Sequence, residues 1–269
     1  MKKYFLILIA VIFIATGCEE MSIDNSDSQE VQEQVPKPAE PLKILNTTST
    51  KDLEYKTVKL EDEQDGYYYE IGYPDFSGGD DLISKKINQD VYDHVQTELN
   101  NFLNEFKASE HEYDPGPWFL SISYYVNRND NAFVSIIMQA SVYMGGAHPN
   151  SYFNTFNYNL EESGKLMTIE DVFNPMAEKV DIKTGKKRYY LDFISDYTIN
   201  ELMSRDLSDE DWVMDGAGPS SENFKNFHLT QDRIIFIFDP YQVAPYAAGP
   251  QEVFILFEDL ADYLKAYAF

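Results

Sequence analysis

Residues 118–144, WFLSISYYVNRNDNAFVSIIMQASVYM, decide the fold. Trp118, Leu120, Ile122, Tyr124 and Val126 alternate with more polar neighbours, which is the two-residue period of a strand. Asn129-Asp130-Asn131 supplies turn chemistry, because short Asn and Asp side chains bond the backbone just ahead of them. The chain then returns with Ala132, Val134, Ile136, Met138, Ala140, Val142 and Met144 on one face and Ser135, Gln139, Ser141 and Tyr143 on the other. One apolar and one polar face predict an antiparallel hairpin with a wet side.

What lies upstream suits the apolar face. Ile83, Ile87, Val91, Val95, Leu99 and Leu103 recur every four residues, with Phe102 and Phe106 beside them. That is one stripe on a helix over about 81–107, capped by Asp80 or Asp81, and it predicts a helix laid on the sheet. Earlier still, Tyr67, Tyr69, Ile71 and Tyr73 alternate as a strand that Pro74 and Ser77-Gly78-Gly79 should end. Asp114-Pro-Gly-Pro117 is a break.

Downstream, a strand is expected over 152–160 and a turn at Glu161–Gly164. Thr168 with Asp171 reads as the start of a short helix, and a longer one follows over 188–206. Residues 207–223, with Gly216, Gly218 and Pro219, read as loop. Strands at 234–238 and 253–257 and a terminal helix opened by Glu258-Asp259 close the chain. Strands and helices are grouped, which predicts an α+β fold: antiparallel sheets with helices packed on one face. The folded part divides into halves at 52–160 and 161–269.

The amino terminus carries a different signal. Lys2 and Lys3 precede an apolar run, Tyr4–Ile14, too short for a bilayer span of roughly 20 residues. Ala15-Thr16-Gly17-Cys18 then resembles the lipobox of bacterial lipoproteins, with Ala in place of the usual Leu. Residues 1–17 are expected to be a signal peptide, cut to leave Cys18 carrying lipid chains that anchor the protein to a membrane. Glu19, not Asp, follows Cys18, which favours the outer membrane in a host with two. Residues 18–51 are acidic and Pro-rich, with few large apolar side chains, and read as a disordered tether. Cys18 is the single cysteine, so no internal disulfide can form.

The chain holds 21 basic and 46 acidic residues, a net charge of −25, which loss of Lys2 and Lys3 with the signal deepens to −27. Such a surface repels nucleic acid and attracts basic partners. Twenty Tyr and eighteen Phe belong to a packed, strand-rich body.

Two stretches go beyond patterning. One is Tyr143-Met-Gly-Gly-Ala-His-Pro149, followed by Phe156-Asn-Tyr-Asn-Leu160 and Ile169-Glu-Asp-Val-Phe173. The other is Phe227-His-Leu-Thr-Gln-Asp232, then Phe236-Ile-Phe-Asp-Pro-Tyr241 and Ala244-Pro-Tyr-Ala-Ala-Gly249. In this order and spacing they resemble the extracytoplasmic domain shared by RsiV-type anti-sigma factors and PdaC-type peptidoglycan deacetylases. Tyr73-Pro-Asp-Phe-Ser-Gly78 with Ile87-Asn88 resembles its amino-terminal half. The resemblance runs over about 52–265 and implies an RsiV/PdaC-like fold. It implies binding of lysozyme in one branch and attachment to a separate catalytic domain in the other.

The candidate ligand-binding residues are therefore Tyr143, Gly145, Gly146, His148, Asp239, Tyr241 and Tyr246. Glycines beside His148 let a backbone approach a ligand, and a sharp corner between strands needs the same residues. In the corner reading His148 bonds its own turn, and Asp239-Pro240-Tyr241 locks a loop.

Nothing points to a catalytic residue, metal or cofactor. His94, His111, His148 and His228 lack ligand spacing, and no Gly-x-Ser-x-Gly elbow occurs. Asp206–Asp211 lacks the spacing of a calcium loop and reads as a solvated loop. The expected function is a lipid-anchored binding module for a basic protein of the lysozyme kind or for cell-wall glycan. The alternatives are a peptidoglycan hydrolase or deacetylase and a structural envelope protein.

Overall fold

The hairpin at 118–144 forms and sits at the centre of a six-stranded sheet. The computed structural model describes residues 53–109, 116–180, 185 and 187–265. The signal at 1–17, Cys18 and the tether lie outside the described residues, as do His111 and the Asp114-Pro115 half of the break.

In chain order the elements begin with strands β1 (Glu54–Gln64) and β2 (Tyr67–Ser77), helix α1 (Asp81–Ala108), and strands β3 (Trp118–Asn129), β4 (Phe133–Tyr143), β5 (Asn150–Asn159) and β6 (Lys165–Leu166). Then come α2 (Ile169–Val172), β7 (Lys179–Val180), β8 (Lys187–Arg188), α3 (Tyr190–Met203) and α4 (Glu210–Ala217). Strands β9 (Phe227–Leu229), β10 (Arg233–Phe238) and β11 (Gln251–Leu256) and helix α5 (Phe257–Leu260) complete the described chain.

The large sheet has the order β1-β2-β3-β4-β5-β6. Neighbours are antiparallel except β2 and β3, which run parallel from Tyr67 opposite Trp118 to Ile71 opposite Ile122. Parallel neighbours need a long crossover, and α1 is that crossover. Asp80 caps α1 by accepting the N–H of Leu82 at 2.8 Å. Its stripe of Ile87, Val91, Val95, Leu99 and Phe102 is buried against Ile71, Leu120, Ile122, Val134, Ile136, Met138 and Val142, as the two apolar faces predict.

The other face of the hairpin departs from expectation. It is not wet: every residue of β4 is buried, and Gln139 is only 4% exposed. The small sheet, β11-β10-β9, lies against it. Of the polar residues that suggest solvent, Ser135 bonds the second sheet, while Gln139 Oε1 and Ser141 Oγ are buried without a hydrogen-bond partner among the described residues. Ser135 Oγ accepts the N–H of Leu229 at 3.0 Å and donates to Asn157 Oδ1 at 2.6 Å. Asn157 Nδ2 donates to the carbonyl of Phe227 at 2.7 Å, and Ile237 packs on Ile137 and Phe153. A second core lies beyond the small sheet. There Ile194, Leu202, Val213 and Ala217 of α3 and α4 meet Phe236, Phe238, Val253 and Ile255. The whole is α+β, with sheets that are antiparallel but for the β2–β3 pair, and several helices.

The structure departs from the sequence reading at four further points. Strand β1 pairs all along β2, although its mostly exposed and charged side chains carry no strand signal. Pro74 lies inside β2, not at its end. The pairing with β3 stops at Ile71, so this part of β2 has no ladder partner on that side and tolerates a residue without N–H. Residues 207–223 are not loop: Asp209 accepts the N–H of Trp212 at 2.9 Å and starts α4, and a 3-10 turn follows at Ser221–Phe224. That makes part of the Asp206–Asp211 cluster a helix cap and first turn. The motif Phe227–Asp232 begins as a strand, β9.

Candidate binding site at the sheet rim

The two motif stretches meet at one rim of the sheets. Strand β4 ends at Tyr143, the chain turns through Gly145–Pro149, and β5 begins at Asn150. Gly145 and Gly146 have φ of 86° and 101°, the left-handed region open to glycine at no steric cost. From the second stretch, the connection between β10 and β11 brings Tyr241 and Tyr246 to the same place.

His148 is stacked on Tyr246 with ring centroids 3.8 Å apart, and Tyr241 stands 6.4 Å from His148 and 5.6 Å from Tyr246. His148 Nδ1 lies 3.0 Å from the carbonyl oxygen of Pro149. A carbonyl can only accept, so this contact places the proton on Nδ1 and leaves Nε2 to accept from the Tyr241 hydroxyl at 3.3 Å. Tyr246 donates its hydroxyl to the same Pro149 carbonyl at 2.7 Å. Three aromatic rings thus hold one another in place, and Tyr241, 51% exposed, faces solvent.

The remaining candidates play other parts. Tyr143 is buried, stacks on Phe119 and donates to the carbonyl of Gly146 at 3.0 Å, fixing the turn from below. Asp239 accepts the N–H of Phe153 at 2.9 Å. Burial pushes its carboxyl up from 3.8 to about 6, against the pull of that N–H and of Lys225. Tyr241 itself has φ of 72°, a strained value for a bulky residue.

Sequence reasoning missed the groups that hold this loop. Trp212 Nε1 donates to the Tyr241 carbonyl at 3.0 Å. Gln242 Nε2 donates to the carbonyls of Gly216 and Asn223, each at 3.0 Å. A Cβ on Gly216 would come within 1.9 Å of the Gln242 carbonyl oxygen, so only glycine admits this contact. Deeper in, Asn127 at a bulge in β3 bonds the buried ring of His228, and burial lowers the histidine to about 3. His228 is therefore a neutral core residue.

Among the described residues, no group of three His, Cys, Asp or Glu side chains could hold a metal ion. No helix among them is long and apolar enough to cross a membrane. An open depression of about 520 Å³ on β1 and β2, lined by Glu61, Asp62, Glu63, Tyr68, Tyr69 and Glu70, contains none of the candidate residues.

Comparison with known proteins finds matches to two stretches of the chain. Residues 60–151 match the family model of deacetylase PdaC, and residues 170–258 match DUF3298, a family of unknown function. The chain is 27% identical over 227 residues to peptidoglycan-N-acetylmuramic acid deacetylase PdaC of Bacillus subtilis, covering 82% of this chain and 44% of that protein. It thus spans less than half the length of that relative. It is 22% identical over 187 residues to an esterase of Mycobacterium tuberculosis, covering 67% of this chain and 69% of the esterase. The crystal structure of a DUF3298 family protein from Pseudomonas aeruginosa superposes with a TM-score of 0.56 at 16% identity, over 81% of this chain and 97% of that one, and shares the fold. The chain thus carries a PdaC-like region at 60–151 followed by a DUF3298 region at 170–258, in the order that its motifs set out.

Proposed function

We propose that this protein is a binding module of the cell envelope, held at a membrane by lipid on Cys18, and that its rim takes cell-wall glycan. The observation that carries this reading is the partly exposed ring cluster of His148, Tyr241 and Tyr246 beside an open glycine turn. The C–H face of a sugar ring packs on aromatic faces, while ring-edge hydroxyls and backbone groups meet the sugar hydroxyls. The peptidoglycan named for the Bacillus subtilis relative is a glycan of this class. His148 has both nitrogens engaged by neighbours in its own rim, an arrangement that suits a platform better than an acid–base catalyst.

A second reading is supported by charge. A mature chain at −27 suits a basic protein of the lysozyme kind. Titration of the full chain with peptidoglycan fragments and with lysozyme separates the two. Glycan binding should survive salt, whereas protein binding driven by charge should weaken steeply, because screening acts within roughly 8–10 Å. Turnover of the glycan, lost in His148→Ala with the fold intact, would instead make it an enzyme. The anchor has its own readout: a fatty-acid label on the wild type and none on Cys18→Ser. Glu19 after Cys18 supports sorting to the outer membrane where the host has one.

A further inference from the structure

We infer that Trp212 adds a second stacking position to the His148–Tyr241–Tyr246 platform, so that the rim takes a run of linked sugars and not a single terminal one. This rests on the glycan reading above.

Helix α4 is an amphipathic turn whose Val213, Gly216 and Ala217 are buried in the second core. Trp212 is outside that set and only half-buried. The side chain with the largest apolar surface is thus left out of the core, next to an exposed Met214. Burying it would be the stabilising choice, so its position wants another reason. Its one polar atom is tied down, since Nε1 donates to the Tyr241 carbonyl at 3.0 Å. Asp209 fixes its backbone by accepting the N–H of Trp212 at 2.9 Å. The bare Gly216 lets α4 press against Gln242, which holds helix and loop as one unit.

The residue that receives the indole bond is the strained one. Tyr241 keeps φ at 72°, a conformation that persists only where the surroundings impose it. The half-buried indole of Trp212 is therefore tied to the strained backbone that carries the exposed Tyr241 ring. Rings already fixed lose little freedom on binding, which favours an extended ligand touching several at once. Linked sugars offer such a ligand: successive apolar ring faces with polar edges between them.

The test is a titration of the full-length chain with β-1,4-linked N-acetylglucosamine oligomers of two, four and six sugars, by calorimetry and tryptophan emission. The wild type should bind four sugars about tenfold or more tightly than two. Trp212→Ala should bind four sugars no better than two, whatever loss of the Tyr241 bond does to both affinities. The emission gives a reading without any variant, because the sequence has two tryptophans and Trp118 is buried. It should change with four sugars and not with two. An equal loss at every length in Trp212→Ala would overturn the inference and make the indole a prop for Tyr241. So would an unaltered dependence on length, or no emission change in the wild type with four sugars. Failure of the folded wild type to bind any oligomer would overturn the glycan reading itself, and this inference with it.

Discussion

Asp239 Oδ1 accepts the backbone N–H of Phe153 at 2.9 Å, so a side chain of the β10–β11 connection occupies the hydrogen-bonding position that a further strand would take beside β5. Strand β6 pairs only with Tyr158 and Asn159, which leaves the rest of that edge of the large sheet without a strand. The bond also joins the loop bearing Tyr241 and Tyr246 to the strand that follows His148. Edge protection and site assembly are here one contact.

That contact has a pH signature. Burial raises Asp239 from 3.8 to about 6, so between these values the folded protein holds a proton that the unfolded chain has released. Its contribution is most favourable below pH 3.8 and is lost as pH rises through about 6. Asp239→Asn keeps an oxygen acceptor for Phe153 and removes the charge. The variant should be more stable than the wild type at pH 7.5, by about 1–3 kcal/mol, and the gap should close toward pH 4. Urea midpoints at the two pH values measure this, and a gap independent of pH would refute it.

His228 should act in the opposite sense. It is buried and neutral, lowered from 6.5 to about 3, while the unfolded chain takes up a proton below 6.5. Its contribution is complete above pH 6.5 and is lost as pH falls toward 3, by roughly 3–5 kcal/mol over the whole range. Asp239 and His228 therefore oppose each other between pH 4 and 6. In Asp239→Asn the acid loss should be visibly steeper than in the wild type. Replacing His228 by Gln in that background should flatten it again, and a slope left unchanged would remove His228 as the cause.

Tyr241 allows stability and binding to be separated. Tyr241→Gly relieves the backbone at φ of 72° and keeps the carbonyl that accepts from Trp212. Thermal stability should hold or rise, by up to about 1 kcal/mol, while glycan affinity falls at least tenfold. A variant that loses stability and binding together would make Tyr241 part of the frame.

Much of the fold is legible in the sequence because period and burial agree there. The stripe from Ile87 to Leu99 and the alternation from Val134 to Val142 each name a face, and the two faces meet. What fails is the reading of polar residues as wet. Ser135 and Asn157 are polar because they bond the backbone of β9, which a sequence cannot announce before that strand is recognised. Helix α4 escapes for a related reason: Gly216 reads as a breaker, yet it is there because the Gln242 carbonyl passes too close for a Cβ. At the site, the motifs that carry the family resemblance contain His148, Tyr241 and Tyr246, which do cluster, while Trp212 carries no motif and is found only through its bond to Tyr241.

The closed sheet yields the last expectation. A hairpin with one wet face would lose stability from Val95→Ala and almost none from Gln139→Ala. Here Val95 has no exposed surface beneath the large sheet, and Gln139 is buried between the two sheets with Phe153 as its cross-strand neighbour. Each truncation removes buried methylene or methyl groups that the close packing around them cannot replace. Val95→Ala should cost about 1–3 kcal/mol, and Gln139→Ala should cost about 1–2 kcal/mol instead of being neutral. Tyr92, 45% exposed on α1, provides the contrast: Tyr92→Ala should cost less than either, about 0.5 kcal/mol. Denaturant midpoints for the three variants decide it. If Gln139→Ala behaved like Tyr92→Ala, the small sheet would not be closing that face in solution.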